Sequence, residues 1–392
     1  MSEPAPLLVF SDDWGRHPSS CQHLVSHLLP ERRVVWVNTI GTRPPRLDLA
    51  TVRRGFEKLR QWSGIRRTRS VSDGVNDNPV ANATGSPLVL NPKMWPSFRS
   101  HLGRALNKRL VGKAVRRALA GLPPPVVVTT LPVVADLVGA FPAARWVYYC
   151  VDEFGVWPGL DGRTLQKLEA ELVPKVDVCV AVSQTLQRHL SKLGKESHLL
   201  THGVDLARWT APVPNDMPLS LAGVPELPRP LVVFWGVIDR RMDVAFVRAV
   251  CDSLADGTVL FVGPQDDPDP ALFTLPRVRT LPPVPFADLP SLAAAASVLV
   301  MPYADLPVTR AMQPLKLKEY LATGKPTVVR SLPSTGAWAD CMDVATTPEA
   351  FAGAVRERLR TGLPPEQREA RRRLDAEGWA AKARLLEGWI GG

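Results

Sequence analysis

Short apolar runs recur along this chain in two series, separated from one another by helical segments. The first series is LLVF (7–10), VVWV (34–37), VVVTT (126–130), WVYYC (146–150), VDVCVAVS (176–183) and HLLT (198–201). The second is LVVFWG (231–236), TVLFVG (258–263), VRTL (278–281), SVLVMP (297–302) and TVVRS (327–331). Runs that are apolar on consecutive residues suit strands buried on both faces, and helices between them make those strands parallel. Two series predict an α/β protein of two doubly wound, Rossmann-like domains. The proline-rich stretch TAPVPNDMPLSLAGVPELPRP (210–230) falls between them. Proline resists helix and sheet alike, so residues 209–230 read as a linker between a first domain (1–208) and a second (231–375).

A chain of 392 residues is long enough for two such cores. The polar, Gly/Pro/Asn-rich stretch VSDGVNDNPVANATGSP (71–87) is expected to be a mobile excursion from the first domain. Five scattered cysteines with no CxxC pair imply neither a disulfide framework nor a zinc site. The N-terminal sequence lacks the basic n-region and apolar h-region of a signal peptide. No stretch approaches the ~20 apolar residues that span a bilayer. A cytoplasmic protein, soluble or peripheral at a membrane, is the expectation.

Net charge is +10 and unevenly spread. Residues 53–69 hold seven Lys/Arg against Glu57 alone, and residues 99–117 hold seven Lys/Arg with no acid. The second block places Leu102, Leu106, Leu110 and Val111 on one helical stripe. A basic amphipathic helix lies on anionic lipid, binds nucleic acid, or simply turns a charged face to water. Neither block carries an aromatic single-strand platform or a reader motif, which disfavours nucleic acid. An anionic membrane is the preferred partner for segments 53–69 and 99–117.

The stretch MPYADLPVTRAMQPLKLKEYLATGKPTVVRS (301–331) carries the most chemistry. It reads as a strand end, a loop with Thr309 and Arg310, a helix entered through Pro314 and closed at Gly324, and a second strand. Lys316, Glu319 and Tyr320 stand at i, i+3 and i+4 and share a helix face. A lysine near a helix start can meet a phosphate, and a carboxylate one turn on can accept from vicinal sugar hydroxyls. On spacing alone the same pattern also describes an ordinary solvated face.

PLKLKEYLA (314–322) followed by GKP (324–326) resembles the donor-binding segment of GT-B glycosyltransferases, particularly family 4. The resemblance implies two Rossmann-like domains facing a cleft, a C-terminal helix (376–392, with Trp379) returning to the N-terminal domain, and Glu319 on the nucleotide ribose. The family often has a second glutamate eight positions before; here that residue is Ala311. It also places an arginine directly after the glycine that ends the domain's first strand, and a lysine five positions further on. Here Gly236 is followed by Val237, and the later position is Met242. The cations for a diphosphate would then come from Arg240 or Arg241, Arg241 first, with Lys316 opposite.

Ligands of open α/β domains bind at the carboxyl ends of strands. In the first domain that rule selects Asp12, Asp13, Trp14, Gly15 and His17 after the first strand, and Asp152 and Glu153 after WVYYCV. Asp152 or Asp13 could act on the acceptor hydroxyl as base or positioning group; helix capping is the competing role for either. His202-Gly203-Val204-Asp205 resembles an Asn-Gly-Val-Asp turn of the family, and Ser183 reads as a helix cap. There is no P-loop, no strand-linked GxGxxG, no HExxH and no GxSxG. No DxD-type acidic pair follows a strand, so neither a metal nor another cofactor is expected. The resemblance implies sugar transfer from a nucleotide-sugar donor to a hydroxyl acceptor, a lipid-linked or polysaccharide intermediate. A nucleotide-sugar 2-epimerase and a catalytically silent nucleotide-sugar-binding subunit are the alternatives. Inverting and retaining outcomes both stay open.

Overall fold

The computed structural model describes residues 4–16, 19–39, 85–213 and 216–391. His17, the basic segment 53–69 and most of the excursion 71–87 lie outside these residues. The chain divides into two compact units. One comprises the residues up to Ala181 with Gln187–Leu199 and Leu385–Gly392; the other comprises Val182–Leu186 and Leu200–Arg384.

The first unit is built on β1 (Leu7–Ser11), β2 (Val34–Asn38), β3 (Leu88–Leu90), β4 (Val126–Thr129), β5 (Arg145–Cys150), β6 (Val178–Ala181) and β7 (His198–Leu199). They form one parallel sheet in the order β3-β2-β1-β4-β5-β6-β7, with its switch point between β1 and β4. Every residue of β1 and β4 is buried, which is why both read as unbroken apolar runs. Short β3, half-buried at the sheet edge, left no such signal.

The second unit is built on β8 (Leu231–Trp235), β9 (Ile238–Asp239), β10 (Thr258–Val262), β11 (Gln265–Asp266), β12 (Val278–Leu281), β13 (Val298–Met301), β14 (Thr327–Arg330) and β15 (Asp343–Ala345). Its parallel sheet runs β12-β10-β8-β13-β14-β15, with the switch point between β8 and β13. The pair β9–β11 forms a small separate ribbon beyond the carboxyl ends of β8 and β10. Two doubly wound α/β units are therefore present, as the periodicity predicts.

The boundaries differ from those read in the sequence. Residues 209–230 are not a free linker: Trp209, Leu221 and Val224 are buried in the core of the second unit. Proline limits the segment to the end of helix Leu206–Thr210 and a 3-10 turn at Leu219–Leu221 but does not prevent burial, and each such side chain contributes about 1.5–3 kcal/mol when removed from water. At the other end, helix Trp379–Ile390 changes units midway, residues 385–392 belonging to the first. There Arg32 pairs with Glu387, Arg145 donates to the Trp389 carbonyl at 3.0 Å, and His198 stacks on Trp389 at 4.5 Å.

The basic stretch 99–117 forms helix His101–Ala118, capped by Ser100. The apolar stripe is divided: Val111 faces the core with Gly103, Asn107 and Val115, whereas Leu102 and Leu106 are exposed. All five cysteines are free and buried. Among the described residues no helix is long and apolar enough to cross a membrane.

Candidate functional site

The chemistry of the second unit gathers where β8 ends. Segment 301–331 supplies two helices rather than a loop and one helix. Pro307–Ala311 comes first, and Leu315–Ala322 follows with Pro314 as its N-cap. The longer helix ends at Gly324, whose φ of 71° is the left-handed stop that glycine supplies without a Cβ penalty.

On that helix Lys316, Glu319 and Tyr320 face the end of β8 together. The Lys316 ammonium lies 4.2 Å from the Phe234 ring centroid and donates to the Tyr303 hydroxyl at 2.8 Å. It also sits directly over Gly236, where a Cβ would come within 2.1 Å of Nζ and push the ammonium aside; the φ of 130° is what requires glycine there. Glu319 accepts from the Trp235 indole N–H at 3.4 Å. Burial pushes its carboxyl up to about 7, against the opposing influence of that hydrogen bond and of the Lys316 and Arg208 charges. Among the described residues, neither Lys316 nor Glu319 has an ion-pair partner. Each touches a neutral group instead.

Tyr320 is fully buried; its hydroxyl accepts from the Trp235 backbone N–H at 3.0 Å and its ring meets the indole edge-on at 4.3 Å. It therefore sets Trp235 rather than meeting a ligand. Trp209 stacks on the same indole at 5.6 Å, so the misread linker contributes a wall beside Glu319. Thr309 is likewise turned inward. Its hydroxyl accepts from the Leu306 N–H at 2.9 Å and lies within hydrogen-bond reach of the Ala304 and Leu306 carbonyls, which closes the first turn of its helix.

The two arginines after Gly236 diverge. Arg240 is exposed and paired with Asp267 at 3.1 Å. Arg241 is buried, bound to Asp239 at 2.7 Å, with its guanidinium carbon 5.7 Å from the Tyr303 ring and Nη1 3.6 Å from the Met312 sulfur. Tyr303 thus neighbours both Arg241 and Lys316. Met242 and Ala311, where the resembled family has a lysine and a glutamate, are buried. The Ala311 carbonyl accepts from Ser183 at 2.7 Å, while Ser183 also caps its own helix by accepting from Leu186 N–H at 3.2 Å.

His202 and Gly203 lie against Trp379. The His202 backbone N–H donates to Gln313 at 3.1 Å and its ring lies 6.3 Å from that of Trp379. A Cβ on Gly203 would come within 2.7 Å of Trp379. Beneath this turn is a cluster that sequence reasoning missed. Buried Lys318 meets Glu377, the His202 carbonyl and Thr201; Lys382 meets the same Glu377 at 2.6 Å and Thr201 at 3.1 Å. Desolvation lowers the Lys318 ammonium to about 8 despite its carboxylate partner.

In the first unit the two selected loops follow β1 and β5, which β4 separates. Asp12 accepts from Ser11 at 2.8 Å, Ser19 at 3.1 Å and Gln22 at 2.9 Å, so its carboxylate organises the loop into helix Ser20–Leu28. Asp13 is within 3.4 Å of exposed Arg16. Trp14 packs on Trp36 at 4.7 Å, and Gly15 donates to Gln22 at 3.0 Å. Asp152 is half-buried just beyond β5, with its carbonyl near the Cys150 thiol at 3.7 Å.

Glu153 stands 3.9 Å from His189, whose other ring nitrogen meets buried Glu169 at 2.8 Å. Glu169 also accepts from the Tyr148 hydroxyl at 2.7 Å, and its hydrogen bond holds the His189 imidazole above the ordinary histidine value. Neither Glu169 nor His189 was legible as a site residue, because one lies at an inward helix position and the other in a polar helix run. Among the described residues no group of three or more His, Cys, Asp or Glu is arranged to hold a metal ion.

Comparison with known proteins adds to this geometry. Residues 229–361 match the family model "Glycosyl transferases group 1", and this span is a domain of that kind. TuaH of Bacillus subtilis (strain 168), provisionally named as a teichuronic acid biosynthesis glycosyltransferase, is 28% identical over 181 residues. That alignment covers 44% of this chain and 45% of TuaH, so the chain spans about half the length of the curated relative it matches. Among solved structures, sucrose-phosphate synthase from Thermosynechococcus elongatus superimposes with a TM-score of 0.69 at 16% identity, covering 98% of each chain. Anabaena HepE in complex with UDP gives 0.60 at 14% identity, covering 98% of this chain and 95% of the other. The fold is GT-B, two Rossmann-like units, as the resemblance implied.

Proposed function

We propose that the chain is a glycosyltransferase that moves a sugar from a nucleoside-diphosphate sugar to a hydroxyl acceptor. One observation carries the reading: at the carboxyl end of β8 a lysine and a glutamate on one helix face are both held without an ion-pair partner among the described residues. A half-buried carboxylate pushed up to about 7 is destabilised where it stands. A ligand that presents vicinal hydroxyls to Glu319 and phosphate oxygens to Lys316 relieves both groups at once. Arg241, which also neighbours Tyr303, is the second cation for the diphosphate. Together they stabilise the leaving nucleotide through side-chain charge, without a metal.

The domain match supports the donor half, and UDP in the HepE structure makes uridine nucleotides the first donors to test. TuaH supports an acceptor in cell-surface polysaccharide synthesis, and we assign that acceptor to a lipid-linked intermediate at the cytoplasmic face of a membrane. In the first unit, Asp13 and Asp152 are the groups to position its hydroxyl. A second reading, a silent donor-binding subunit, is favoured by the Asp239 carboxylate that already neutralises Arg241 and by Met242 and Ala311.

Calorimetry with UDP followed by incubation with UDP-sugars and a panel of hydroxyl acceptors tests the proposal. Transfer products support it. Donor binding without turnover under any condition assigns the silent subunit, and an altered UDP-sugar released without acceptor assigns an epimerase. Failure to bind any nucleoside diphosphate overturns all three.

A further inference from the structure

Helix His101–Ala118 turns an unusual face to solvent. Leu102, Leu106, Arg109, Lys113 and Arg117 fall at i, i+4, i+7, i+11 and i+15, a single line opposite the buried Gly103, Asn107, Val111 and Val115. Leu102 is 85% exposed and Leu106 43%. Trp95, 51% exposed, is fixed against the same end. Its backbone N–H donates to Asn107 at 2.6 Å, its carbonyl accepts from Asn107 at 3.1 Å, and its ring covers Gly103, where a Cβ would come within 2.9 Å.

The charges are sorted as well. Arg104 turns inward to Asp136 at 2.7 Å and to Glu171, and Arg99 binds Asp161 at 2.5 Å. Arg116 donates to the Ala140 carbonyl at 3.1 Å. The exposed Lys108, Arg109, Lys113 and Arg117 have no ion pair among the described residues, and the helix contains no acid. A merely solvated helix face usually interleaves both signs and leaves single apolar residues scattered. Here two exposed leucines stand at one end of an acid-free row of cations, with half-exposed Trp95 held at Gly103 on the flank of the same turn.

We propose that this face, with Trp95 at its flank, docks the protein on an anionic lipid bilayer. Trp95, Leu102 and Leu106 enter the headgroup boundary while Arg109, Lys113 and Arg117 lie against lipid phosphates. The inference goes beyond the transfer reaction and does not depend on it: a bilayer is recognised by this surface whether or not the second unit binds a nucleotide.

The test is sedimentation of the full chain with vesicles of phosphatidylcholine alone and of phosphatidylcholine with 30% phosphatidylglycerol, with UDP affinity measured in parallel. Binding is expected only to the anionic vesicles and should weaken as salt shortens the screening length. The variant Arg109→Gln/Lys113→Gln/Arg117→Gln is expected to lose on the order of 100-fold, about fivefold per cation near the surface. Leu102→Ser/Leu106→Ser should weaken binding with the cations intact, and neither variant should change UDP affinity. Equal binding to both vesicle types overturns the proposal, as does unchanged binding by the triple variant, which would place the contact elsewhere in the chain. Tighter binding to an RNA or DNA duplex than to the anionic vesicles overturns it in favour of nucleic acid.

Discussion

Replacing Glu319 with glutamine separates the energetic burden of this residue from its use. The carboxyl is pushed from 4.5 to about 7 by burial. A folded-state value above the unfolded one means that the native state holds the proton more tightly. Stability linked to this group is therefore full below about 4.5, falls as pH rises to about 7, and is flat above. Each tenfold change in proton affinity is about 1.4 kcal/mol, so the ionised carboxylate costs the folded protein at most about 3 kcal/mol at pH 8. Water reaching a half-buried side chain reduces that to about 1–2 kcal/mol.

Glutamine keeps the shape and can still accept from the Trp235 indole, but never ionises. Glu319→Gln should match the wild type near pH 4.5 and exceed it at pH 8 by about 1–2 kcal/mol, or about 2–8 °C in melting temperature for a unit of this size. The same variant should bind UDP about 10–100-fold more weakly, the loss of charge-assisted hydrogen bonds to ribose. Thermal melts from pH 5 to 8, with and without UDP, read both effects. A stability difference that does not change with pH refutes the desolvated carboxylate. Unchanged UDP affinity refutes the ribose contact.

Other perturbations probe the surroundings of that residue. Lys316→Met should weaken UDP about 10–100-fold while leaving uridine affinity unchanged, because only the phosphates meet the ammonium; calorimetry with both ligands decides it. Gly236→Ala places a Cβ 2.1 Å from Lys316 Nζ at a φ of 130°, so UDP binding should fall and denaturant melts should show a loss of about 1–3 kcal/mol. Lys318→Met strands Glu377 with Lys382 alone and should destabilise the second unit by about 3 kcal/mol near pH 7. Because the Lys318 value is lowered to about 8, the wild type should gain stability between about pH 8 and 10.5, and the variant should lose that rise.

What could be read in the chain depended on how far apart the cooperating residues are. Strands such as Leu7–Ser11 and Leu231–Trp235 are buried on both faces, so each announces itself within five residues. Edge strands Leu88–Leu90 and Asp343–Ala345 are half-buried and had no comparable signal. Prolines in 209–230 were legible as an interruption, but not the burial of Trp209, because its stacking partner is Trp235. Helix His101–Ala118 was legible as a basic amphipathic stretch, but not which residues it buries: beside Val111 and Val115 its inner surface uses Gly103 and Asn107, selected by close approach and hydrogen bonding rather than by apolarity.

Helix Leu315–Ala322 shows both limits within eight residues. Lys316 and Glu319 share a face by spacing alone, and their common destination at the end of β8 follows from the strand–helix–strand order. Lys318 lies between them in sequence but points away, to a carboxylate 59 residues on at Glu377. The contrast bears on function. Lys318 is an ammonium closed by its own carboxylate, and removing either partner leaves a buried charge. Lys316 and Glu319 face a tyrosine hydroxyl and an indole, neutral groups that orient a charge without cancelling it. A fold that needed these two only for stability would have closed them as it closed Lys318; left open on one face, they mark the side of the helix from which a charged, hydroxyl-bearing ligand is met.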